Sequence, residues 1–265
     1  MIRPNYKRVA EFVINPGANS RILTYPEFTL EFEKTFDLNG EPDETVAKIF
    51  NPSPETSKAF ISRNGKNINM IINAGYSFDS GLVTLGEVVD LQTETIGNDR
   101  ILTAVIHDRN TRWQTTIVTK TFSGVQKASF IIKNIFDGFG IKATINLGND
   151  KTFEDKSISS PLRRFVEDMA RETDSNFFMS DARMIFQPKA TKGKKVVFVL
   201  SPDTGLIDRP EVTDKGLLLK SLFNYRFRGN DTLRLEFREI NRTAKVLRGI
   251  HNFGDKNAFT ELEVA

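Results

Sequence analysis

One strand-turn-strand pattern occurs twice in this chain, and a duplicated supersecondary unit limits the architecture more than any single residue does. In the N-terminal third, Gly65-Lys66-Asn67 leads into Ile68, Met70 and Ile72, and Gly97-Asn98-Asp99 precedes Leu102-Thr103-Ala104-Val105-Ile106. In the C-terminal part, Gly229-Asn230-Asp231 leads into Leu233, Leu235 and Phe237, and Gly254-Asp255-Lys256 precedes the run from Phe259 to Val264. Turn formers ahead of alternating apolar residues are the grammar of antiparallel strands. The repetition predicts two related β-domains in one chain.

With 265 residues and 39% apolar content, the chain has room for one large domain or two to three small ones. The 22 Phe against a single Trp, with abundant Val and Ile, suit half-buried pleated surfaces. The expected fold class is therefore α+β and mainly β. The reading along the chain divides it into an N-terminal arm over 1–27, a first β-domain over 28–120, a small α/β insert over 121–200 and a second β-domain over 201–265.

In the first β-domain, Phe28, Leu30 and Phe32 alternate with polar residues and continue past Phe36. Val46 to Phe50 forms the next strand, stopped by Pro52 and Pro54, and Ser53 can cap a short helix over Glu55 to Ile61. Asn67 to Ala74, Gly81 to Leu91 and Arg100 to His107 complete the set. The period then changes from 2 to 3.6. Ser123-Gly124-Val125-Gln126 has the form of a capping box ahead of Val125, Ala128, Ile131, Ile132, Ile135, Phe136 and Phe139, and Gly138 and Gly140 end that helix. A second helix starts at Ser160-Pro161, with Leu162, Phe165, Val166 and Met169 as its buried stripe. Short strands follow over Asn176 to Met179, Met184 to Gln187 and Val196 to Leu200. The turn-rich segment Ser201 to Pro210 leads into strands over Leu217 to Phe223, Thr232 to Glu239, Thr243 to Phe253 and Ala258 to Val264.

The absence of Cys excludes a disulfide framework and thiolate chemistry, and is compatible with synthesis in a reducing cytoplasm. The N-terminus, Met1 to Arg8, is basic without the apolar core of a secretory signal, and no apolar run is long enough to span a bilayer. A soluble, unexported chain without a membrane anchor is expected. The formal net charge of +3 is mild, with Lys and Arg interleaved among acids. The densest basic run, Lys189 to Lys195, reads as a solvated hairpin turn.

Convergent chemistry is scarce. His107 and His251 lack metal-type spacing and read as structural or exposed histidines. Glu167, Asp168, Glu172 and Asp174 stand three and four residues from Arg163, Arg164 and Arg171, which predicts ion pairs along the solvated face of the second helix. The GxSxG pattern is missing around Ser123, and Gly138-Phe139-Gly140 lacks the following helix of a dinucleotide fingerprint. No catalytic residue, cofactor or metal is assigned. Phe28, Phe32 and Phe36 share a strand face, as a core or a base-stacking platform requires. Arg226, Arg228, Arg234 and Arg238 are candidates for inter-subunit or lumen contacts, with Arg234 and Arg238 on a strand face opposite Leu233, Leu235 and Phe237.

The order of segments resembles the baseplate hub proteins of phage tails and related contractile injection particles. The likeness lies in Ile49-Phe50-Asn51-Pro52-Ser53-Pro54-Glu55-Thr56, in Ile72-Asn73-Ala74-Gly75-Tyr76 with Gly86-Glu87-Val88, in the helix after Ser123, and in Leu200-Ser201-Pro202-Asp203-Thr204-Gly205-Leu206-Ile207 before Leu222-Phe223-Asn224. The resemblance implies two tail-tube-like β-barrels with an intervening α/β domain. It also implies a homotrimer of pseudo-sixfold symmetry in the virion tail baseplate, assembled in the host cytoplasm. Such a trimer joins the tail tube protein to the central spike protein, contacts other baseplate proteins and lets phage DNA pass without sequence-specific contacts. No enzyme activity is implied, and the short chain carries no expectation of a fused lysozyme-like function. Two readings of other classes remain at this point: a β-barrel that binds single-stranded nucleic acid, and a tail-associated cell-wall hydrolase.

Overall fold

A computed structural model of the protein describes residues 7–16, 20–38, 43–61, 68–108, 116–180, 183–189 and 198–265. The turn at Gly65-Lys66-Asn67 and all of the basic run but Lys189 lie outside these. In chain order the elements are β1 (Arg8–Ile14), β2 (Arg21–Tyr25), β3 (Leu30–Phe36), β4 (Glu44–Phe50), α1 (Pro54–Ile61), β5 (Asn69–Tyr76), β6 (Asp79–Ile96) and β7 (Asp99–His107). Then come β8 (Ile117–Lys127), α2 (Ala128–Gly138), β9 (Ala143–Ile145), β10 (Thr152–Pro161), α3 (Leu162–Glu172), β11 (Ser175–Ser180) and β12 (Arg183–Pro188). The last are β13 (Phe198–Leu200), β14 (Glu211–Thr213), β15 (Gly216–Leu222), β16 (Thr232–Phe237), β17 (Ile240–Phe253) and β18 (Ala258–Val264). They fall into two compact units, one built from 1–37, 43–109 and 195–265, the other from 38–42 and 110–194.

Among the described residues the first unit is built on a continuous thirteen-stranded sheet. The mainly β expectation holds, and both halves of the duplicated pattern lie in this sheet. The strands run in the order β3-β4-β7-β6-β5 in one stretch and β14-β15-β18-β17-β16 in another. Each series is a hairpin followed by a three-stranded meander whose last strand returns beside the hairpin. Fine detail repeats as well. β6 carries a bulge between Val88 and Asp90 opposite β7, and β17 carries one between Val246 and Arg248 opposite β18. An extra residue in one strand bends it and raises its twist, and both series carry one at the corresponding place. Apolar residues at alternate positions build a core for each: Phe12, Ile49, Met70, Ile72, Leu102 and Ile106 belong to one, and Leu219, Leu233, Leu235, Val246, Leu262 and Val264 to the other.

The segment expected to be an N-terminal arm contributes two strands. β1 pairs antiparallel with β5 from Arg8↔Tyr76 to Ile14↔Met70, and β2 pairs with β1. Its alternation is the reason: Ala10, Phe12 and Ile14 are buried while the residues between them are partly exposed. The first predicted strand begins at Leu30, with Phe28 outside it. Ser53 Oγ accepts the Thr56 N–H at 3.2 Å and caps α1, as its position predicted.

In the second unit, α2 and α3 bury Ile131, Ile132, Ile135, Phe136, Phe165, Val166 and Met169 in a common core with Met184 and Phe186. The capping-box reading of Ser123 is wrong. Residues Ser123 to Lys127 continue β8, which pairs with β10 as far as Lys127↔Thr152, and α2 begins at Ala128. Asp150 does the capping instead, its carboxylate accepting the Ser129 N–H at 2.8 Å and the Ser129 hydroxyl at 2.8 Å. Pro161 is the N-cap of α3 rather than its first helical residue. Arg163–Glu167 at 3.0 Å, Arg164–Asp168 at 3.8 Å and Arg171–Asp168 are ion pairs on the solvated side of α3, as the spacing predicted.

Candidate assembly site

The two strand series meet at β17. From Thr232↔Lys245 to Phe237↔Ile240 its first half pairs with β16. Past the bulge its second half is freed from β16, and β3 takes that edge from Gly249↔Phe36 to Phe253↔Phe32. The first strand of one series thus completes the fourth strand of the other. Gly249 makes the approach possible, because a Cβ there would lie 2.5 Å from the Phe36 ring and 2.7 Å from the Glu261 carbonyl oxygen.

Aromatic packing fills the joint. Phe32 stacks on Phe253 at 5.4 Å between ring centroids, and Phe223 meets both edge-on at 5.9 and 5.7 Å. Phe32 and Phe36 are core residues, at 3% and 4% exposure, not a stacking platform for bases.

Lys34 lies between those two phenylalanines in phase with them, and is fully buried. Its ammonium uses all three donors: it gives hydrogen bonds to Asp108 Oδ2 at 2.7 Å and the Val83 carbonyl at 2.9 Å, and faces Asp43 Oδ2 at 3.4 Å. Burial works against its charge, but attraction to Asp108 and then Asp43 outweighs that and keeps Lys34 above its ordinary pKa. Burial pushes the Asp43 carboxyl up to about 8, against the pull of Lys34. A cation held by two carboxyls, one of them pushed by burial toward its neutral form, is how a dry site tolerates these ionisable groups.

His251 pairs with Lys34 across the joint and is equally buried. One ring nitrogen, Nε2, faces the Phe227 carbonyl at 3.1 Å and must donate, so Nδ1 accepts from the Thr260 hydroxyl at 2.9 Å. Burial first, then the charges of Arg228 and Lys34, hold its pKa well below the usual imidazole value. It is a satisfied core histidine. His107, by contrast, is partly exposed and lies 3.3 Å from Glu44.

The four candidate arginines separate into two pairs. Arg226 forks onto both carboxylate oxygens of Asp79 at the start of β6. Arg228 donates to the Leu82 carbonyl at 2.9 Å, the Phe227 carbonyl at 3.0 Å and the Tyr225 carbonyl. Both tie the loop before β16 to β6. Arg234 lies exposed on β16 beside Glu236 at 2.8 Å. Arg238 does not share its strand face: β16 ends at Phe237, and Arg238 takes φ +52° in the turn to β17. Neither the burial of Lys34 and Asp108 nor the shared strand follows from local sequence patterns. The detectable signal was the phase of Lys34 with Phe32 and Phe36.

Among the described residues, no group of three or more His, Cys, Asp or Glu side chains is arranged to hold a metal ion, and no helix is long and apolar enough to cross a membrane.

Known structures share this architecture at low identity. The tail protein from Neisseria meningitidis MC58 superposes with a TM-score of 0.67 at 8% identity over 96% of each chain. The 43 kDa tail protein of prophage MuSo2 from Shewanella oneidensis gives 0.68 at 10% identity, again over 96% of each. A type VI secretion system component, the E. coli c3393 protein, gives 0.59 at 7% identity over 89% of this chain and 73% of its own; that protein is described as similar to the T4 bacteriophage tail proteins gp27 and gp5. No curated protein matches in sequence. These likenesses identify the fold, and sequence carries the assignment further: the family described as baseplate hub gp41 matches residues 35–243, most of the chain, so the protein belongs to the baseplate hub gp41 family.

Proposed function

We propose that this baseplate hub protein works as a homotrimeric symmetry adapter, in which each of the two strand series forms one tail-tube-like barrel. Three chains then present six similar modules to a sixfold tail tube on one face and a threefold spike on the other, with a lumen wide enough for DNA. Membership of a baseplate hub family and a fold shared with phage tail proteins support a structural role in the tail. The observation that carries the finer reading is the repeated strand order with its repeated bulge, because a ring with twice as many similar modules as chains needs each chain to hold two copies of one unit. The chemistry of the joint agrees. Lys34, Asp108, Asp43 and His251 are sealed in the core, where they hold strands together and reach no substrate.

Light scattering on the purified chain at low and high salt, with electron microscopy of the main peak, tests the reading. A three-chain ring with a central hole is the expected result. A monomer that binds single-stranded DNA in a salt-sensitive manner would replace it with the nucleic-acid-binding alternative.

A further inference from the structure

The joint between β3 and β17 has an empty counterpart. Superposing the two bulges sets Val88, Val89 and Asp90 of β6 against Val246, Leu247 and Arg248 of β17, so Leu91 to Thr95 correspond to Gly249 to Phe253. In β17 this stretch is covered by β3. In β6 the pairing with β5 ends at Glu87, and among the described residues no strand takes the same edge beyond it. Gln92 to Ile96 are all exposed. By the same correspondence the strand equivalent to β3 is β14, which among the described residues pairs with β15 alone and has no strand on its outer edge. Val212 on that strand is 85% exposed.

We infer that the open edge of β6 receives β14 of a second copy of this chain, antiparallel, in the register of the β3–β17 joint. This rests on the ring reading above and assigns its contact. Through Lys34↔Thr45 and Val212↔Leu217, the places of Glu33, Lys34 and Thr35 are taken by Glu211, Val212 and Thr213. Carrying over Lys34↔His251 then sets Val212 opposite Thr93, Thr213 opposite Gln92 and Glu211 opposite Glu94. The two edges lie at different places on the chain, so the contact is head-to-tail and propagates by rotation, closing when the angle permits. Within the chain, the first strand of one series lies on the fourth strand of the other; between chains the same rule applies with the series exchanged. An exposed strand edge is a template for pairing, and here both the template and its occupant are present in every copy.

The inferred joint has one built-in weakness. Where Glu33 faces the amide of Asn252 at 3.4 Å inside the chain, Glu211 faces Glu94 between chains, and like charges directly opposite oppose pairing. Glu94→Asn restores the intrachain pair and should tighten self-association about two- to fivefold.

The decisive experiment is disulfide trapping in the full chain, whose own sequence has no Cys to interfere. Thr93→Cys with Val212→Cys places two thiols opposite each other on one face; Thr93→Cys with Glu211→Cys is one residue out of register, on opposite faces. All three positions are exposed, so the variants should keep the fold. Mild oxidation of the first pair should give covalent dimers and trimers by mass, with a several-fold excess over the second pair. If the unmodified chain is a trimer and neither pair links above the other, the strand pairing is wrong and the ring survives. If the unmodified chain is a monomer and nothing links, both readings fall. Links that grow into an open ladder beyond three would keep the pairing and overturn closure.

Discussion

Replacing Lys34 by Met keeps the length and apolar stem of the side chain but removes the cation, so it isolates the electrostatics of the joint from its packing. Burial already pushes the Asp43 carboxyl up to about 8, so the loss falls mainly on Asp108, whose side chain has no exposed surface. Two routes bound its size. Removing one member of a buried ion pair typically costs about 3–5 kcal/mol. The carboxyl can escape by taking up a proton; holding one at pH 7, about three units above the ordinary carboxylate value at roughly 1.4 kcal/mol per unit, costs about 4 kcal/mol. The two agree. Because the second route becomes easier in acid, the deficit should shrink to about 1–2 kcal/mol at pH 5. Urea unfolding followed by the circular dichroism of the strands measures it, with K34M and K34M/D108N compared at both pH values. The double variant, which removes the Asp108 carboxylate together with its cation, should recover at least half of the loss. A K34M deficit under about 1 kcal/mol at pH 7, or one that does not change with pH, would show that Asp108 is stabilised by something other than this ion pair.

The Asp43 carboxyl, held at about 8 when folded against an ordinary 3.8, keeps a proton that the unfolded chain releases, so stability is lost as pH rises from about 4 to 8. Asp43→Asn removes that dependence, and its advantage over the unmodified protein should grow across this window in parallel denaturation curves. Gly249→Ala, whose Cβ would meet the Phe36 ring and the Glu261 carbonyl, should destabilise the sheet unit by about 1–3 kcal/mol in the same assay. Arg226→Ala breaks an ion pair that is nearly half exposed and should cost under about 1 kcal/mol. Arg228→Ala, which strips a charged donor from three carbonyls, should cost about 2–3 kcal/mol, so equal losses from the two would refute the separation of roles.

Period-two alternation made most of the sheet legible. The alternation places the last strand at Ala258 to Val264, where it lies; β15, β5 and β7 differ from their expected bounds by one or two residues. The turns at Gly97-Asn98-Asp99 and Gly254-Asp255-Lys256 form the corresponding β6–β7 and β17–β18 hairpins of the doubled strand order, because hairpin register is fixed locally. The misses have a different physical origin. Ser123-Gly124 has the residues of a helix cap, but Gly124 at φ +69° and Asp155 at φ +47° form an irregular pairing of β8 with β10, the Asp155 carboxylate accepting the Gly124 N–H at 2.7 Å. A partner 31 positions away overrode the local signal. The joint was invisible for the same reason on a larger scale, since Phe32 and Phe253 lie at opposite ends of the chain. The charge of Lys34 predicts solvent exposure, although its place in the alternation of Leu30, Phe32 and Phe36 marks it as internal.

Placing both strand series on one polypeptide also changes the thermodynamics of ring closure. Six separate modules would each surrender translational and rotational freedom on joining a ring. With β3 and β17 in one chain, half of the joints of the proposed ring would form during folding, at an effective concentration set by the chain itself and indifferent to dilution. Only three bodies then have to find one another, so in the proposed ring assembly depends on the third power of protein concentration instead of the sixth, and a scarce baseplate component can still close its ring.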